Sequence, residues 1–396
     1  MPPGEVIVHV FGKTDVGRTR EHNEDAFLVA DLTSGNATLH PEVRRHVVGE
    51  RGTMFMVADG MGGAAAGEIA SAMAIEIVLR QLAQIWRDSP ARDAEAFARA
   101  LRRAAVAAND EIHNYALQHP EFRGMGTTAT IAGVLGDTLY VAQVGDSRAY
   151  LIRDGVARQI TKDQSLMQKL VEAGELTEEE AEVSERRNII LQALGPEATV
   201  KVDVTHQRLR RGDTLVLCSD GLSGQVTRDE IAAYVKAEPD LVALCRTLID
   251  RANETGGPDN ITVIAARFDG EALPETDDAD GVGHRAFPLP DTGQTPAMRR
   301  SLQERTTESH PVMSRPTVPV DANGLALPPD VPVTPPEHVT PVSNVAISPD
   351  RRKKGMIVAV ALLALLIALT AWFVFRTAER VKPAPAPAAA PAPPPT

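Results

Sequence analysis

Acidic residues recur at turns that flank buried strand segments. Asp59 follows the apolar run 54–58 and precedes Gly60, and Asp220 repeats this arrangement after residues 215–218. Five carboxylates share this setting: Glu24, Asp59, Asp146, Asp220 and Asp259. If the strands pack into sheets, their ends can converge, and five carboxylates in a small volume would repel each other unless cations were bound. Oxygen ligands without a His or Cys cluster favour Mg²⁺ or Mn²⁺.

Each position also has a simpler interpretation. Asp-Gly is a common turn dipeptide, and a solvated turn would explain Arg20, Glu24 and Asp25 equally well. The sequence shows no His pair at ligand spacing, no Ser-His-Asp set and no Gly-x-x-x-x-Gly-Lys-Ser/Thr loop that would indicate other chemistry. The spacing therefore indicates a two-metal site suited to hydrolysis of a phosphate ester.

Hydrophobic periodicity predicts the elements that carry these residues. Strands are predicted over 6–10, 26–30, 54–58, 128–135, 138–144, 147–152, 200–205, 213–218 and 261–268. Apolar residues at helical spacing predict helices over 67–86, 93–118, 228–236 and 241–253. Short loops between strands indicate an antiparallel meander. Residues 164–194 predict a helical hairpin, which is either a surface feature or a flap beside the site.

Six short motifs carry a family resemblance. They are Gly17-x-x-Arg20-x-x-Asn23-Glu24-Asp25, Val57-Ala58-Asp59-Gly60-Met61-Gly62-Gly63, Gly126-Thr127-Thr128, Val144-Gly145-Asp146-Ser147-Arg148, Cys218-Ser219-Asp220-Gly221-Leu222 and Gly257-Pro258-Asp259-Asn260-Ile261-Thr262-Val263. In this order, over residues 6–268, they resemble the metal-dependent Ser/Thr protein phosphatase family (protein phosphatase type 2C) in its bacterial form. The resemblance implies an α+β fold, a sandwich of two mainly antiparallel β-sheets flanked by α-helices.

The resemblance also implies a role for each motif residue. Asp59 would bridge two Mn²⁺ or Mg²⁺ ions, and a hydroxide bridging them would attack the phosphorus of phosphoserine or phosphothreonine. The further roles fall to these residues: Asp220 and Asp259 on the first metal, Glu24 and the Gly60 carbonyl on the second, Asp146 with Asp220 on a third and weaker metal, Asp25 ordering water, Asn260 supporting the ligands through hydrogen bonds, and Arg20 clamping the substrate phosphate.

Three positions depart from the family pattern. Met61 stands where eukaryotic members have His after Asp-Gly, and Ala64 and Gln164 stand where bacterial members often have His. No obvious imidazole is therefore available to protonate the leaving alkoxide. The identity of the general acid is therefore not settled by these motifs, whereas the assignment of the metal ligands is unaffected.

The C-terminal part of the chain has a different composition. Of 29 prolines, 14 fall within residues 271–350, which predicts a flexible linker after a catalytic domain over 1–270. Residues 351–376 contain the basic flank 351–354 and then residues 356–375, which carry no charge and are long enough for one transmembrane helix in a lipid bilayer. A Pro/Ala-rich tail spans 377–396. The excess of basic residues before the span favours a single-pass membrane protein with a cytoplasmic catalytic domain.

Charge and composition also limit the partners. The net charge is −12 and residues 1–270 contain no basic run, which disfavours nucleic acid. The expected partners are phosphorylated proteins, among them a Ser/Thr kinase and its substrates, whose action this enzyme would reverse. The alternative is a catalytically inactive family member that binds phosphoproteins or senses a signal. The sequence does not identify the substrates.

Overall fold

The computed structural model describes residues 4–290 apart from 36–44, 64, 89–92, 183, 185, 187 and 276–280. All described residues belong to one compact unit, residues 1–307. The predicted span 356–375, most of the predicted linker and the Pro/Ala-rich tail lie outside the described residues, as does Ala64.

Twelve strands and seven α-helices are assigned within the described ranges. The strands are β1 (Ile7–Asp15), β2 (Asp25–Asp31), β3 (Arg45–Val47), β4 (Thr53–Met61), β5 (Gly126–Thr127), β6 (Ala129–Leu135), β7 (Thr138–Val144), β8 (Arg148–Arg153), β9 (Val156–Gln159), β10 (Asp203–Arg208), β11 (Thr214–Cys218) and β12 (Ile261–Asp269). The helices are α1 (Ala66–Asp88), α2 (Ala94–Gln118), α3 (Leu166–Glu172), α4 (Glu178–Glu182), α5 (Asp220–Ser223), α6 (Arg228–Ala237) and α7 (Leu241–Glu254).

The strands form two sheets in which every described pairing is antiparallel. Sheet A has the order β3-β1-β12-β11-β8-β9, and sheet B has the order β10-β7-β6-β4-β2 with β5 paired to β4. Apolar side chains from both sheets, such as Val8, Phe55 and Leu215, form the core between them. This arrangement confirms the predicted sandwich of antiparallel sheets.

Helices cover the outer face of each sheet, which explains why the central strands are buried on both sides. Residues of α1 and α2 form a cluster with sheet B, and residues of α6 and α7 form another with sheet A. Within the described ranges, Ala66–Arg87 has the length and hydropathy of a membrane-spanning helix. Its apolar side chains, among them Ile77 and Leu82, are instead buried against sheet B, as expected for a core helix.

Residues 281–290 pack on the edge of sheet B, and we call this segment the strap. Ala286 bridges Thr205 of β10 in antiparallel fashion, and the Phe287 amide donates to the Val204 carbonyl over 2.7 Å. The Phe287 ring meets the Tyr140 ring edge-on with centroids 5.6 Å apart. Packed chain therefore extends beyond residue 270, where the sequence analysis placed the end of the catalytic domain.

Candidate metal centre

The ends of neighbouring strands bring the predicted carboxylates together. Asp25 and Asp59 are opposite each other in the β2–β4 register. In sheet A, Asp220 follows the end of β11 and Asp259 lies just before the start of its antiparallel neighbour β12. Asp146 lies in the short turn between β7 and β8. The sandwich thus places side chains from both sheets at one end of the domain.

Burial and mutual repulsion act on Asp59 together. Its pKa is raised well above the usual value, first by burial and then by the charges of Asp25, Asp220, Asp146 and Asp259. The pKa of Asp220 is also raised by burial and by Asp259, although a hydrogen bond with Asp59 opposes the rise. Both side chains keep part of their surface open to solvent, so a cation can approach them.

Two other carboxylates are more deeply buried. Burial and the charges of Asp220 and Asp259 raise the pKa of Asp25 to about 7, against hydrogen bonds from Thr262 and Ser219. Burial together with Asp220 raises the pKa of Asp146 to about 8. Among the described residues, one carboxylate oxygen of Asp25 and one of Asp146 are buried without a hydrogen-bond partner. Unpartnered oxygens in a repelling carboxylate cluster are the donor set that a hard divalent cation requires, so the residues fit the predicted metals.

The side chains do not yet form a closed ligand cage. In the part of the chain that the structure describes, no three His, Cys, Asp or Glu side chains are grouped closely enough to hold a metal ion as they stand. Arg20, the predicted phosphate clamp, donates to one of the predicted ligands, Asp259 Oδ2, over 2.8 Å. Arg20 is 47% exposed, so its guanidinium can exchange this carboxylate for another oxyanion.

Asn260 holds the loop that carries Arg20 and Glu24. Its Oδ1 accepts from the Glu24 amide over 2.8 Å, and its Nδ2 donates to the carbonyls of Val16 and His22, each over 2.9 Å. The side chain is buried. One amide group therefore ties the β1–β2 loop to the start of β12.

Gly60 sits where no side chain fits. An added Cβ would lie 2.2 Å from the Gly67 carbonyl oxygen and 2.5 Å from the Glu24 carbonyl oxygen. The Gly60 amide donates to that Glu24 carbonyl over 3.1 Å. The glycine thus allows the end of β4, the Glu24 loop and the start of α1 to meet.

Hydroxyl groups fix the two central aspartates. The Thr128 hydroxyl accepts from the Asp59 amide over 2.9 Å, and the Thr127 hydroxyl donates to the Asp59 carbonyl over 2.9 Å. The buried Ser219 hydroxyl donates to Asp25 Oδ2 over 2.7 Å. Asp25 and Asp59 are therefore positioned by the Gly-Thr-Thr and Ser-Asp-Gly motifs.

The helical hairpin at 164–194 borders this end of the domain. The side-chain oxygen of Gln164 accepts from the Gly145 amide, and the backbone amide of Gln164 donates to the Gly145 carbonyl. These two bonds tie the base of the hairpin to the turn of Asp146. Leu194, at the other end, bridges Thr127 of β5. The hairpin consequently joins the domain beside the carboxylates, the position expected of a flap.

Three residues that contact the carboxylates or change their pKa were not singled out from the sequence. Arg148 lowers the pKa of Asp146 and Asp220 while it is held by Asp163 through a bidentate ion pair. His22 lies close enough to Glu24 to lower the pKa of that carboxyl group, against the larger rise caused by burial. Ser219 is the third. All three stand inside quoted motifs, but only the folded chain shows which group each one faces.

Fold and site together define a class of protein. A two-sheet sandwich that gathers six carboxylates at one end is a scaffold for divalent-metal hydrolysis of phosphate esters. The sequence profile of the family described as Protein phosphatase 2C matches residues 43–262, more than half of the chain. The chain belongs to the protein phosphatase 2C family.

Individual relatives agree with this membership. The serine/threonine phosphatase stp of Listeria monocytogenes is 38% identical over 263 residues, covering 66% of this chain and 96% of the relative. The crystal structure of the serine/threonine phosphatase PstP/Ppp of Mycobacterium tuberculosis is similar with a TM-score of 0.55 at 35% identity, covering 66% of this chain and 99% of that one. The PstP catalytic domain in complex with two manganese ions is similar with a TM-score of 0.54 at 34% identity, covering 67% and 99%.

Proposed function

We propose that this chain hydrolyses phosphoserine and phosphothreonine on proteins, using divalent metals held by the carboxylate cluster. The observation that carries the proposal is the convergence of charges on Asp59, whose pKa is raised first by burial and then by four other aspartates. Two similar proteins support it: a serine/threonine phosphatase that the match covers over 96% of its length, and a structure that contains two manganese ions. Mn²⁺ is therefore the first metal to test, and Mg²⁺ is the second.

The proposed ligands follow from the residues that the fold brings together. Asp59 would be shared by two ions, Asp220 and Asp259 would complete one set of ligands, and Glu24 with the Gly60 carbonyl would complete the other. Asp146 and Asp220 would hold a third and weaker ion. When bound, the metals supply Lewis acidity to the phosphoryl group and activate the attacking water.

The chain's own side chains do the rest. Arg20 would leave Asp259 for two oxygens of the substrate phosphate, since its planar guanidinium matches that geometry. Asp25, held through Oδ2 by Ser219, presents its unpartnered Oδ1 as an acceptor that orients the water. Met61 carries no acidic proton, so the leaving alkoxide would take its proton from water at the metals and not from the side chain after Asp59-Gly60.

The test is phosphate release from a phosphothreonine peptide by the full chain, measured with Mn²⁺, with Mg²⁺ and with EDTA. Asp59→Asn should abolish turnover, whereas Asp229→Asn, the same change at a side chain that is 94% exposed on α6, should leave it unchanged. Turnover that persists in EDTA would refute metal catalysis. Metal-dependent turnover would also eliminate the inactive-member alternative.

We also propose how the domain is attached. The catalytic domain would continue through the strap into a Pro-rich linker that ends near residue 350, followed by a single membrane span over 356–375 and the tail 377–396. The basic flank before the span supports a cytoplasmic catalytic domain, where a Ser/Thr kinase and its substrates would be partners. Membrane fractionation with and without residues 351–396 tests the span, and an equal soluble pool of both forms would refute it.

A further inference from the structure

Two exposed apolar side chains lie on the returning segment of the helical hairpin. Ile189 is 43% exposed and Leu191 is 45% exposed. Ile190, between them, is more buried and bridges Ser165 in antiparallel fashion. Because alternate residues of an extended segment point to the same side, Ile189 and Leu191 lie together on the solvent side. We call these two side chains the apolar pair.

The apolar pair differs from the other exposed apolar residues. Six large apolar side chains are exposed among the described residues, and four of them are scattered singly along the chain: Val16, Val106, Leu117 and Val156. Single exposed apolar side chains are common on soluble proteins and need no explanation. Two neighbouring ones on the same side form a continuous surface, which indicates a binding site when it adjoins other functional groups.

Hydrogen bonds hold the segment of the apolar pair in place. The Leu191 amide donates to the Gln164 carbonyl over 2.7 Å. The side-chain oxygen of the next residue, Gln192, accepts from the Lys201 amide over 2.9 Å. A ligand that covers the apolar pair therefore does not have to order this segment first, which favours binding.

On one side, this segment is linked to the turn of Asp146. Leu191 is bonded to Gln164, whose own amide donates to the Gly145 carbonyl over 2.9 Å. Each step between bonded chains spans about 5 Å, and the covalent step from Gly145 to Asp146 adds about 3.8 Å. The Cα atoms of Leu191 and Asp146 therefore lie within about 15 Å of each other.

On the other side, the segment is linked to the turn after Asp59. The Leu194 amide donates to the Thr127 carbonyl over 2.8 Å, and the Thr127 amide donates back over 3.1 Å. Thr127 is opposite Gly60 in the β4–β5 register. The segment that carries the apolar pair thus borders the proposed metal centre through both of its ends.

An extended substrate can reach the apolar pair from the metals. At about 3.3 Å per residue, 15 Å corresponds to roughly four residues of extended chain. The charge of the hairpin limits which chain fits, because residues 164–194 contain seven acidic and three basic residues. An acidic stretch would be repelled, whereas a neutral or basic stretch would not.

We propose that Ile189 and Leu191 bind a bulky aliphatic side chain of the protein substrate, about two to four positions from the phosphorylated residue, on a neutral or basic stretch. The inference rests on the proposed function, since it concerns the substrates of the same enzyme. The aliphatic contact lies away from the reacting phosphorus, so it is equal in the bound substrate and in the transition state. It therefore lowers KM and leaves kcat unchanged.

The experiment uses the full chain with Mn²⁺ and a set of neutral phosphothreonine peptides. Each peptide carries one Leu at a single position, two, three or four residues before or after the phosphothreonine, and has a partner with Gln at that position. At one or more positions, the Leu peptide should have a KM about fivefold to tenfold lower than its Gln partner at equal kcat, the size expected when about half of a Leu side chain is covered. Equal KM values in every pair of peptides would overturn the proposal.

Three variants locate the preference. Leu191→Gln should abolish the difference in KM between the Leu and Gln peptides, whereas the conservative Leu191→Met should retain it. The matched control is Val156→Gln, because Val156 is 49% exposed and lies beyond the end of β8, whereas Asp146 precedes its start. Because KM does not depend on the fraction of active enzyme, partial misfolding of a variant does not disturb the comparison. A preference that persists in Leu191→Gln, or that is lost equally in Val156→Gln, would contradict the assignment.

Failure of this contact and failure of catalysis give different results. If the unaltered chain hydrolyses neither the peptides nor p-nitrophenyl phosphate, the proposed function is wrong, and binding of labelled Leu and Gln peptides is then measured by fluorescence anisotropy with Mn²⁺. Tighter binding of the Leu peptide that Leu191→Gln removes and Val156→Gln does not would support the contact. Equal binding of both peptides would overturn it.

A second copy of the chain is the other occupant that the experiment can detect. Sedimentation of the full chain measures self-association in the unaltered protein and in Leu191→Gln. Self-association that Leu191→Gln abolishes, without any difference in KM between the peptides, would show that the apolar pair binds another copy and would overturn a substrate contact.

Discussion

Replacing Asp146 by Asn should stabilise the metal-free protein. The carboxyl group of Asp146 is only 6% exposed, one of its oxygens has no hydrogen-bond partner among the described residues, and Asp220 and Asp163 repel its charge. Its pKa rises from 3.8 to about 8. The folded state therefore holds a proton that the unfolded state releases above pH 4. Stability is consequently lost as the pH rises from 4 to 8.

The size of the effect follows from this shift. At 1.36 kcal/mol per pKa unit, the ionisation of Asp146 costs at most about 5 kcal/mol at pH 7.5. Because Asp220 and Asp146 repel each other, protonation of one lowers the cost of ionising the other, and we expect Asp146→Asn to recover only a part of this, about 2 kcal/mol. For a domain of this size the gain corresponds to a melting temperature about 4–6 °C higher.

Thermal unfolding followed by circular dichroism measures the effect in EDTA at pH 5 and pH 8. The rise in melting temperature of Asp146→Asn over the unaltered protein should be larger at pH 8 than at pH 5. The control Asp229→Asn should show no rise at either pH. Added Mn²⁺ should stabilise the unaltered protein more than the variant, since the variant lacks a proposed ligand. Equal melting temperatures in EDTA at pH 8 would refute the view that unrelieved carboxylate repulsion destabilises the metal-free site.

Three further substitutions test the packing around the site. Gly60→Ala should lower stability by about 1–3 kcal/mol and activity about a hundredfold, because the new Cβ would meet the Gly67 carbonyl; an unchanged melting temperature would contradict this. Asn260→Ala should raise the Mn²⁺ concentration for half-maximal activity by about 10–100-fold, since it releases the Glu24 loop; an unchanged Mn²⁺ titration argues against that role. Phe287→Ala should lower the free energy of unfolding, measured in urea, by about 1–2 kcal/mol and leave kcat unchanged. A fall in kcat would instead link the strap to catalysis.

The sequence predicts the long elements well, because their hydrophobic periodicity is a local signal. The predicted helix over 93–118 corresponds to α2. The strand–Asp–Gly pattern marks strand ends to within two residues, since Asp59 lies two residues before the end of β4 and Asp220 two residues after the end of β11. The strand predicted over 200–205 is instead β10 at Asp203–Arg208, since its partner β7 ends one residue after Gln143, which faces Asp203.

Features set by distant contacts could not be predicted in this way. The sequence predicts no strand over residues 31–52, yet β3 pairs three of them with β1. The ion pair between Arg20 and Asp259 joins residues 239 positions apart. The strap has no strand signal of its own, and its contacts are all with distant residues: its backbone pairs with β10 and the Phe287 ring packs on Tyr140.

The strap also changes how the border of the domain should be regarded. An edge strand with unpaired backbone groups can pair with the same edge of another molecule, and β10 would be such an edge without residues 284–287. The first part of a stretch whose composition is that of a spacer therefore covers a sheet edge that could otherwise pair with another molecule. A protein shortened at residue 270 would keep every proposed metal ligand and lose this protection.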